Sequence, residues 1–240
     1  MWTSTALASE HRRYRGRVWR LVEAQHRIST NRLASDLAEQ ELLETLADEV
    51  KPQLPAAARG LDYLLASPFR YGHRLASRFR RADERPGIFY ASEREATAIA
   101  EAAYWRLRFV ARSPGFAPPS TTIEHSSFSV AIASDRTLDL TEAPFAAREA
   151  EWTDPEDYRA CQDLTTAARA AQTQALRTRS ARDRAGCNLV VLDPAAFAER
   201  KPRHGKTWHL RYEQGRLVVL AALPHAGRLE FTLAGFGLDL

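Results

Sequence analysis

Between Ser67 and Trp105 the chain brings three kinds of chemically capable group into a short stretch. Arg70, Arg74, Arg78, Arg80 and Arg81 come first. A short apolar run follows, Gly87-Ile88-Phe89-Tyr90-Ala91, which includes a phenolic hydroxyl. One acid, Glu101, then stands among alanines and aromatics. Guanidinium groups suit charge-assisted bonds to phosphate or carboxylate. An acid set among apolar residues is either paired with a cation or kept for chemistry. The spacing indicates which elements carry these groups. Residues 87–91 read as a strand. Ser92 with Glu95 three residues on predicts a helix start in which each side chain caps the other's turn. Ile99, Ala103, Leu107 and Val110 recur at three- and four-residue spacing and form a core-facing stripe. Glu101 lies off that stripe, with Ala98, Tyr104 and Trp105 as helical neighbours, on a face too apolar for an ordinary solvated surface.

Two functional classes fit these residues alone. Arg74, Arg78, Arg80 and Arg81 beside Phe69, Tyr71, Phe79 and Phe89 interleave charge with aromatic rings, as a single-stranded nucleic-acid-binding protein would. That reading gives Glu101 no task. The other class is an enzyme with Glu101 at its centre. The structural alternative for the acid is an ion pair with Arg94 or Arg108.

The stretch resembles the RES-domain family, toxins of bacterial toxin–antitoxin pairs named for an Arg, a Glu and a Ser. The matching residues are Arg78-Phe79, Tyr90 in I-F-Y-A-S, Glu101 in A-I-A-E, and Ser180 in R-T-R-S-A-R ahead of G-C-N-L-V-V-L-D. Arg20, in Val18-Trp19-Arg20-Leu21-Val22, matches an aromatic-Arg strand with which the family begins. Two departures stand out: Ala76-Ser77 replaces small glycines before the Arg, and Thr178-Arg179 replaces an aromatic and a proline before the Ser. The resemblance implies an ADP-ribosyltransferase-like core, two small sheets framing an NAD cleft. It implies NAD as a substrate, with no further cofactor. Cleaving the nicotinamide–ribose bond moves positive charge onto the ribose. Glu101 then answers that charge, Arg78 clamps the diphosphate, Tyr90 stacks on the cationic ring, and Ser180 and Arg20 bind substrate. Water, phosphate or a protein side chain as acceptor would make the enzyme a glycohydrolase, a phosphorylase or a mono-ADP-ribosyltransferase. A helix-turn-helix antitoxin is the implied partner, blocking the cleft with an acidic group offered to Arg78 or Arg80 and carrying any DNA binding itself. The family resemblance also extends to a homodimer, of which the residues carry no sign.

The rest of the chain bounds these readings. Its 240 residues suit one large domain, here an α+β fold with an N-terminal strand and helical lead-in over 1–66 and the NAD-cleft core over 67–240. Lys51, Lys201 and Lys206 are the only lysines among 34 basic residues, and net charge is +4. A GC-rich genome accounts for such arginine bias as well as phosphate binding does. No stretch resembles a membrane span or a signal peptide, and two cysteines, Cys161 and Cys187, make no disulfide framework, so a cytoplasmic location is expected. His204, His209 and His225 lack metal-ligand spacing and read as hairpin surface residues. No glycine-rich strand-to-helix turn marks a Rossmann fold.

The remaining elements follow from pattern. Asp36 and Glu39 open a helix with a stripe of Ala38, Leu42, Leu46 and Val50, ended by Pro52 and Pro55. A second helix spans Ala56 to Ala66, closed by Pro68. Phe128, Val130 and Ile132 alternate as a strand, with another short strand at Leu138 and Leu140. Asp154-Pro155-Glu156-Asp157 opens a helix running to about Leu176, which leaves Ser180 on the turn beyond. Leu189 to Leu192 reads as a central strand. Trp208–Tyr212 and Leu217–Leu220 form a hairpin across Glu213-Gln214-Gly215, and Leu229–Leu233 adds a last strand.

Overall fold

Two long strands set the architecture. In a computed structural model describing residues 2–24, 35–49, 51–113, 115 and 122–238, β1 (Arg12–Glu23) and β3 (Ile123–Asp139) pair antiparallel along nearly their full lengths. The two short strands expected around Phe128 and Leu138 are thus one strand of 17 residues. Its other edge is shared. β6 (Arg203–Glu213) pairs with Ile123–Ser129, and β4 (Ala175–Arg179) pairs in parallel with Thr137–Asp139. β4 then pairs with β5 (Cys187–Val191), and β5 with β2 (Phe89–Ser92). Trp19 of β1 opposite Ser92 of β2 closes five strands into a ring. β7 (Arg216–Ala221) and β8 (Arg228–Thr232) extend the sheet beyond β6.

The result is a mixed helix and strand fold in which eight strands form one continuous sheet, where two small sheets were expected. The length of β1 and β3 is the reason, since both groups of shorter strands hang from them. Between its two partners the β3 edge is capped. Ile132 bridges Phe197, the Ala198 N–H donates to the Ala131 carbonyl, and the Ala131 N–H donates to Glu199 at 3.1 Å. Glu199 also holds Arg17 of β1 at 2.7 Å and Arg203 of β6 at 2.8 Å, so one carboxylate joins three strands.

Helices cover this sheet. α4 (Glu95–Ala111) lays Ile99, Ala103 and Leu107 against Trp208, Leu210, Leu217 and Val219 of β6 and β7. It begins two residues later than expected, with Arg94 at the cap position, because Ser92 pairs within β2 and its hydroxyl donates to Asn188 instead of capping the helix. A second core gathers Phe79, Ile88, Leu138, Trp152, Leu164 and Val190 beneath α1 (Ser4–Ser9), α5 (Glu149–Trp152) and α6 (Arg159–Ala170). A third joins Leu65, Phe69, Phe89, Phe128 and Val191.

Three helix expectations shift. α6 starts after the Asp154 turn and stops at Ala170. Gln172 takes a left-handed backbone at φ 59°, after which Ala175–Arg179 becomes β4 through pairing with β5 and β3. The helix expected over Ala56–Ala66 is a single 3-10 turn at Ala56–Ala58, interrupted by Gly60 at φ 75°. α3 (Tyr63–Arg70) follows, capped by Asp62 and containing Pro68 rather than ending at it. α2 (Leu37–Glu49) starts where Asp36 and Glu39 indicated, with the Glu39 N–H donating to Asp36 at 2.8 Å. Its Leu42 and Leu46 nevertheless face outward, at 58% and 49% exposure, and Val50 lies outside the described residues. The loop read after Arg112 also falls largely outside them. The hairpin turns at Gln214-Gly215 with both residues at positive φ, as a two-residue turn requires.

Glu199 supplies a stability test. Its hydrogen bond and ion pair to Arg17, with the Ala131 N–H, hold its pKa down to about 2. A depressed carboxylate stabilises the fold fully above its unfolded value, near 4.5, and loses that effect as pH falls toward 2. Thermal melts of Glu199→Gln against wild type should therefore show a lower Tm at pH 7. The gap should narrow between about pH 4.5 and 2. A gap independent of pH would remove the charge of Glu199 from the strand junction.

Candidate functional site

The register of β2, β5 and β4 decides what faces the cleft. Tyr90 lies opposite Val190, and Ser92 opposite Asn188, which in turn lies opposite Thr178. With a side-chain period of two, these five share one face of the sheet, while Phe89, Leu189 and Val191 pack into the core behind. α4 crosses above and turns Ala98, Glu101, Ala102 and Trp105 toward the same space. Between them lies a cleft of about 270 Å³, to which β1 adds Trp19 and Arg20.

Glu101 sits at its edge, half-buried. Its Oε1 accepts from the Ser180 hydroxyl at 2.7 Å and from the Asn188 side-chain amide at 2.5 Å. Neither Arg94 nor Arg108 pairs with it: Arg94 holds Asp183 at 2.8 Å, and Arg108 lies 3.8 Å from Glu156. The amide is oriented in turn, since the Ser92 hydroxyl donates to the Asn188 Oδ1 at 2.7 Å. That bond fixes which end of the amide faces Glu101.

Ser180 is buried at 4% exposure just beyond β4 and is not itself among the residues lining the cleft. Its oxygen also accepts from the Arg182 and Asp183 N–H groups at 3.1 and 3.0 Å, so the turn holds the hydroxyl in one direction. Asp183 ties the turn to α4 through Thr97 at 2.6 Å. Although burial opposes it, the bonds from Thr97, the Ala185 N–H and Arg94 keep the Asp183 pKa below its usual value. The turn comes so close to α4 that a Cβ at Gly186 would stand 2.3 Å from the Thr97 hydroxyl. Only glycine permits that approach.

The arginine segment divides by burial. Phe79 is buried in the core at 1% exposure, and a short bridge between Ser77 and Arg80 makes a turn that presents Arg78 to the cleft. The Tyr90 hydroxyl fastens this turn, lying 2.8 Å from the Ser77 hydroxyl and accepting from the Phe79 N–H at 3.2 Å. Burial raises the Tyr90 pKa, and its ring lines the cleft. Arg80 is a structural cation instead. It is buried at 4% exposure and donates to the carbonyls of His73, Leu75 and Arg81. Phe69, Phe79 and Phe89 are core residues, so three of the four rings that motivated a nucleic-acid reading are buried, and Tyr71 alone is half-buried.

Arg20 reaches the cleft from β1. It lies 4.9 Å from the Phe89 ring centroid and donates to the Tyr90 carbonyl at 3.3 Å. Burial lowers its pKa to about 10. Arg20, Arg78 and Arg182 all line the cleft, and among the described residues none forms an ion pair. Three guanidinium groups thus surround one carboxylate, an arrangement suited to an anionic ligand that also places positive charge near Glu101.

All five residues singled out from the sequence thus belong to one region. Arg20, Arg78, Tyr90 and Glu101 line the cleft, and Ser180 stands directly behind Glu101. The sequence reading missed Asn188 and Arg182. Asn188 is hidden in the G-C-N-L-V-V-L run, where strand composition dominates. Arg182 is one arginine among many. His204 and His225 are exposed and His209 half-buried, and among the described residues no group of three or more metal-ligating side chains comes together. Cys161 and Cys187 are buried and unpaired, and no helix of the described residues is long and apolar enough to cross a membrane.

No curated protein matches the chain. Among solved structures, the crystal structure of the M. tuberculosis MbcT–MbcA toxin–antitoxin complex is similar at 15% identity and a TM-score of 0.46, over 85% of this chain and 92% of that one. The RES domain model matches residues 54–213, a span containing Arg78, Tyr90, Glu101, Ser180 and Asn188, and the chain belongs to the RES domain family.

Proposed function

We propose that the protein is the toxin of a toxin–antitoxin pair and that it depletes NAD by cleaving the nicotinamide–ribose bond. One observation carries this reading. The Glu101 carboxylate, fixed by Ser180 and Asn188, faces a cleft whose other charged groups are guanidinium groups without carboxylate partners. Membership of the RES domain family supports it. In the reaction the C1′–N bond breaks and its electron pair passes to the pyridinium nitrogen, which leaves as neutral nicotinamide. The ribose carries the positive charge until a nucleophile adds at C1′ and releases a proton. Glu101 stabilises that charge and accepts a hydrogen bond from a ribose hydroxyl. Its own anchors leave Oε2 free for this, since both bonds from Ser180 and Asn188 fall on Oε1. Arg78 clamps the diphosphate, Arg20 adds a second cation, and the Tyr90 ring stacks on the pyridinium. Ser180 acts through Glu101, as a positioning residue.

Water, phosphate or a side chain as acceptor remain separate outcomes of one cleft chemistry, and product identification separates them. An ADP-ribosyltransferase-like arrangement of β1, β2 and α4 around the cleft belongs to the same proposal. So does an antitoxin of helix-turn-helix type that covers the cleft in the cytoplasm. Its acidic group would meet Arg78 rather than the buried Arg80. A homodimer is part of the family resemblance and rests on no contact of this chain.

Glu101→Gln separates charge from shape. The amide oxygen still accepts from Ser180 and Asn188, so Tm should hold or rise, while NAD consumption falls by roughly 10²–10³. Equal rates in variant and wild type would take Glu101 out of the chemistry. Ser180→Ala should cost less, roughly 10- to 100-fold, as expected for one hydrogen bond to a charged group.

Asn188→Asp tests the electrostatics by pH. A second carboxylate beside Glu101 disfavours the charged form of the pair and raises its upper apparent pKa. The acid limb of the NAD-consumption profile should therefore move to higher pH than in wild type. An unmoved limb, with activity retained, would show that ionisation of Glu101 does not limit the rate.

A further inference from the structure

Arg182 carries a charge that no carboxylate among the described residues pairs with. Several half-buried guanidinium groups elsewhere in this arginine-rich chain have carboxylates: Arg17 has Glu199, Arg169 has Glu84, and Arg177 lies between Glu93 and Asp139. The guanidinium of Arg182 makes no hydrogen bond or ion pair with a described residue, and its Nε and Nη2 are buried without an acceptor. Arg78 repeats the pattern, with its Nε also buried and unpartnered. Both line the cleft that holds Glu101.

Arg182 is held in place without being neutralised. Its backbone N–H donates to Ser180, in the turn that anchors Glu101. Its guanidinium carbon lies 3.2 Å from the Tyr104 ring centroid. Tyr104 is buried, and its ring gives the planar group a floor but no acceptor. Burial lowers the Arg182 pKa, and the charge of Arg78 lowers it further, whereas Glu101 and the two tyrosines Tyr104 and Tyr158 act the other way. Two like charges turned toward one space, with donors unfilled, are arranged for an anion that supplies several oxygen acceptors.

We propose that Arg182 and Arg78 form a subsite for phosphate-type oxygens beside Glu101, with Arg182 stacked on Tyr104 as a determinant of substrate affinity. The assignment rests on the NAD-cleaving reading for its ligand, the diphosphate of a dinucleotide. A free phosphate acting as acceptor has the same chemistry. Arg182 stands outside the strand that carries Arg20 and the turn that carries Arg78, so it reaches the ligand from a third direction.

Calorimetric titration of the full chain with ADP-ribose, inorganic phosphate and nicotinamide riboside tests it, comparing wild type with Arg182→Met and Arg182→Lys. Met keeps an apolar stem over Tyr104 without charge, and Lys keeps the charge without the planar fork. Arg182→Met should weaken ADP-ribose or phosphate binding by roughly 10- to 100-fold and leave nicotinamide riboside within about twofold. Its Tm should hold or rise, because an unpartnered buried cation is removed. Loss confined to ADP-ribose assigns the diphosphate, and loss confined to phosphate assigns the free anion. Partial affinity in Arg182→Lys supports a charge with preferred geometry. Undiminished binding of both anions in Arg182→Met overturns the subsite. So does an equal loss of all three ligands with a lowered Tm, which would make Arg182 structural. A wild type that binds ADP-ribose yet releases no nicotinamide from NAD defeats the catalytic reading and leaves this subsite standing.

Discussion

A single carboxylate oxygen organises this protein. Glu101 Oε1 receives a hydroxyl from the turn after β4 and an amide from β5, while its own backbone belongs to α4. Three elements far apart in sequence must therefore arrive together. The ring of strands achieves this, because β2, β5 and β4 are held in register between β1 and β3. A slip of one residue in β5 would send Asn188 into the core and bring Leu189 to the cleft. Gly186 and Thr97 then set how close the turn comes to the helix, and Ser92 sets the direction of the Asn188 amide. The strength of the arrangement lies in this second layer, since a carboxylate fixed by oriented donors needs no reorganisation when charge develops beside it.

The cleft's electrostatics work against the free protein. Arg20, Arg78 and Arg182 are brought together with little to balance them, and the burial that lowers the Arg20 and Arg182 pKa values is unfavourable for the charged forms. The rest of the fold does the opposite. The Glu93–Arg177–Asp139 group and the Glu199 junction pair every charge they bury, and Glu95 accepts from both Ser127 and Trp208. Three cations gathered in one cleft without carboxylate partners mark a place where stability is given up for binding.

The sequence made some of this legible for physical reasons. The helical period of Ile99, Ala103, Leu107 and Val110 separates the core face of α4 from the face of Glu101, and packing follows that period. The hairpin at Gln214-Gly215 announced itself through its turn residues. Where the reading failed, pairing at a distance overrode local preference. Ser92 looks like a helix cap until Asn188, nearly a hundred residues later, takes its hydroxyl. Ala175 to Arg179 continues the composition of α6, yet β3 and β5 draw it into the sheet. Leu42 and Leu46 show a helical stripe that nothing among the described residues covers. Asn188 and Arg182 stayed hidden because neither residue type nor spacing marks them. Their roles come from what lies opposite them in the fold.

The most direct measurement is the fate of NAD. Purified wild-type protein, verified as folded, is incubated with NAD in the presence and absence of phosphate, and released nicotinamide is quantified by chromatography. The account predicts nicotinamide in equal amount to the NAD consumed, with the ADP-ribosyl product identifying the acceptor. Folded protein that leaves NAD intact under both conditions would contradict it.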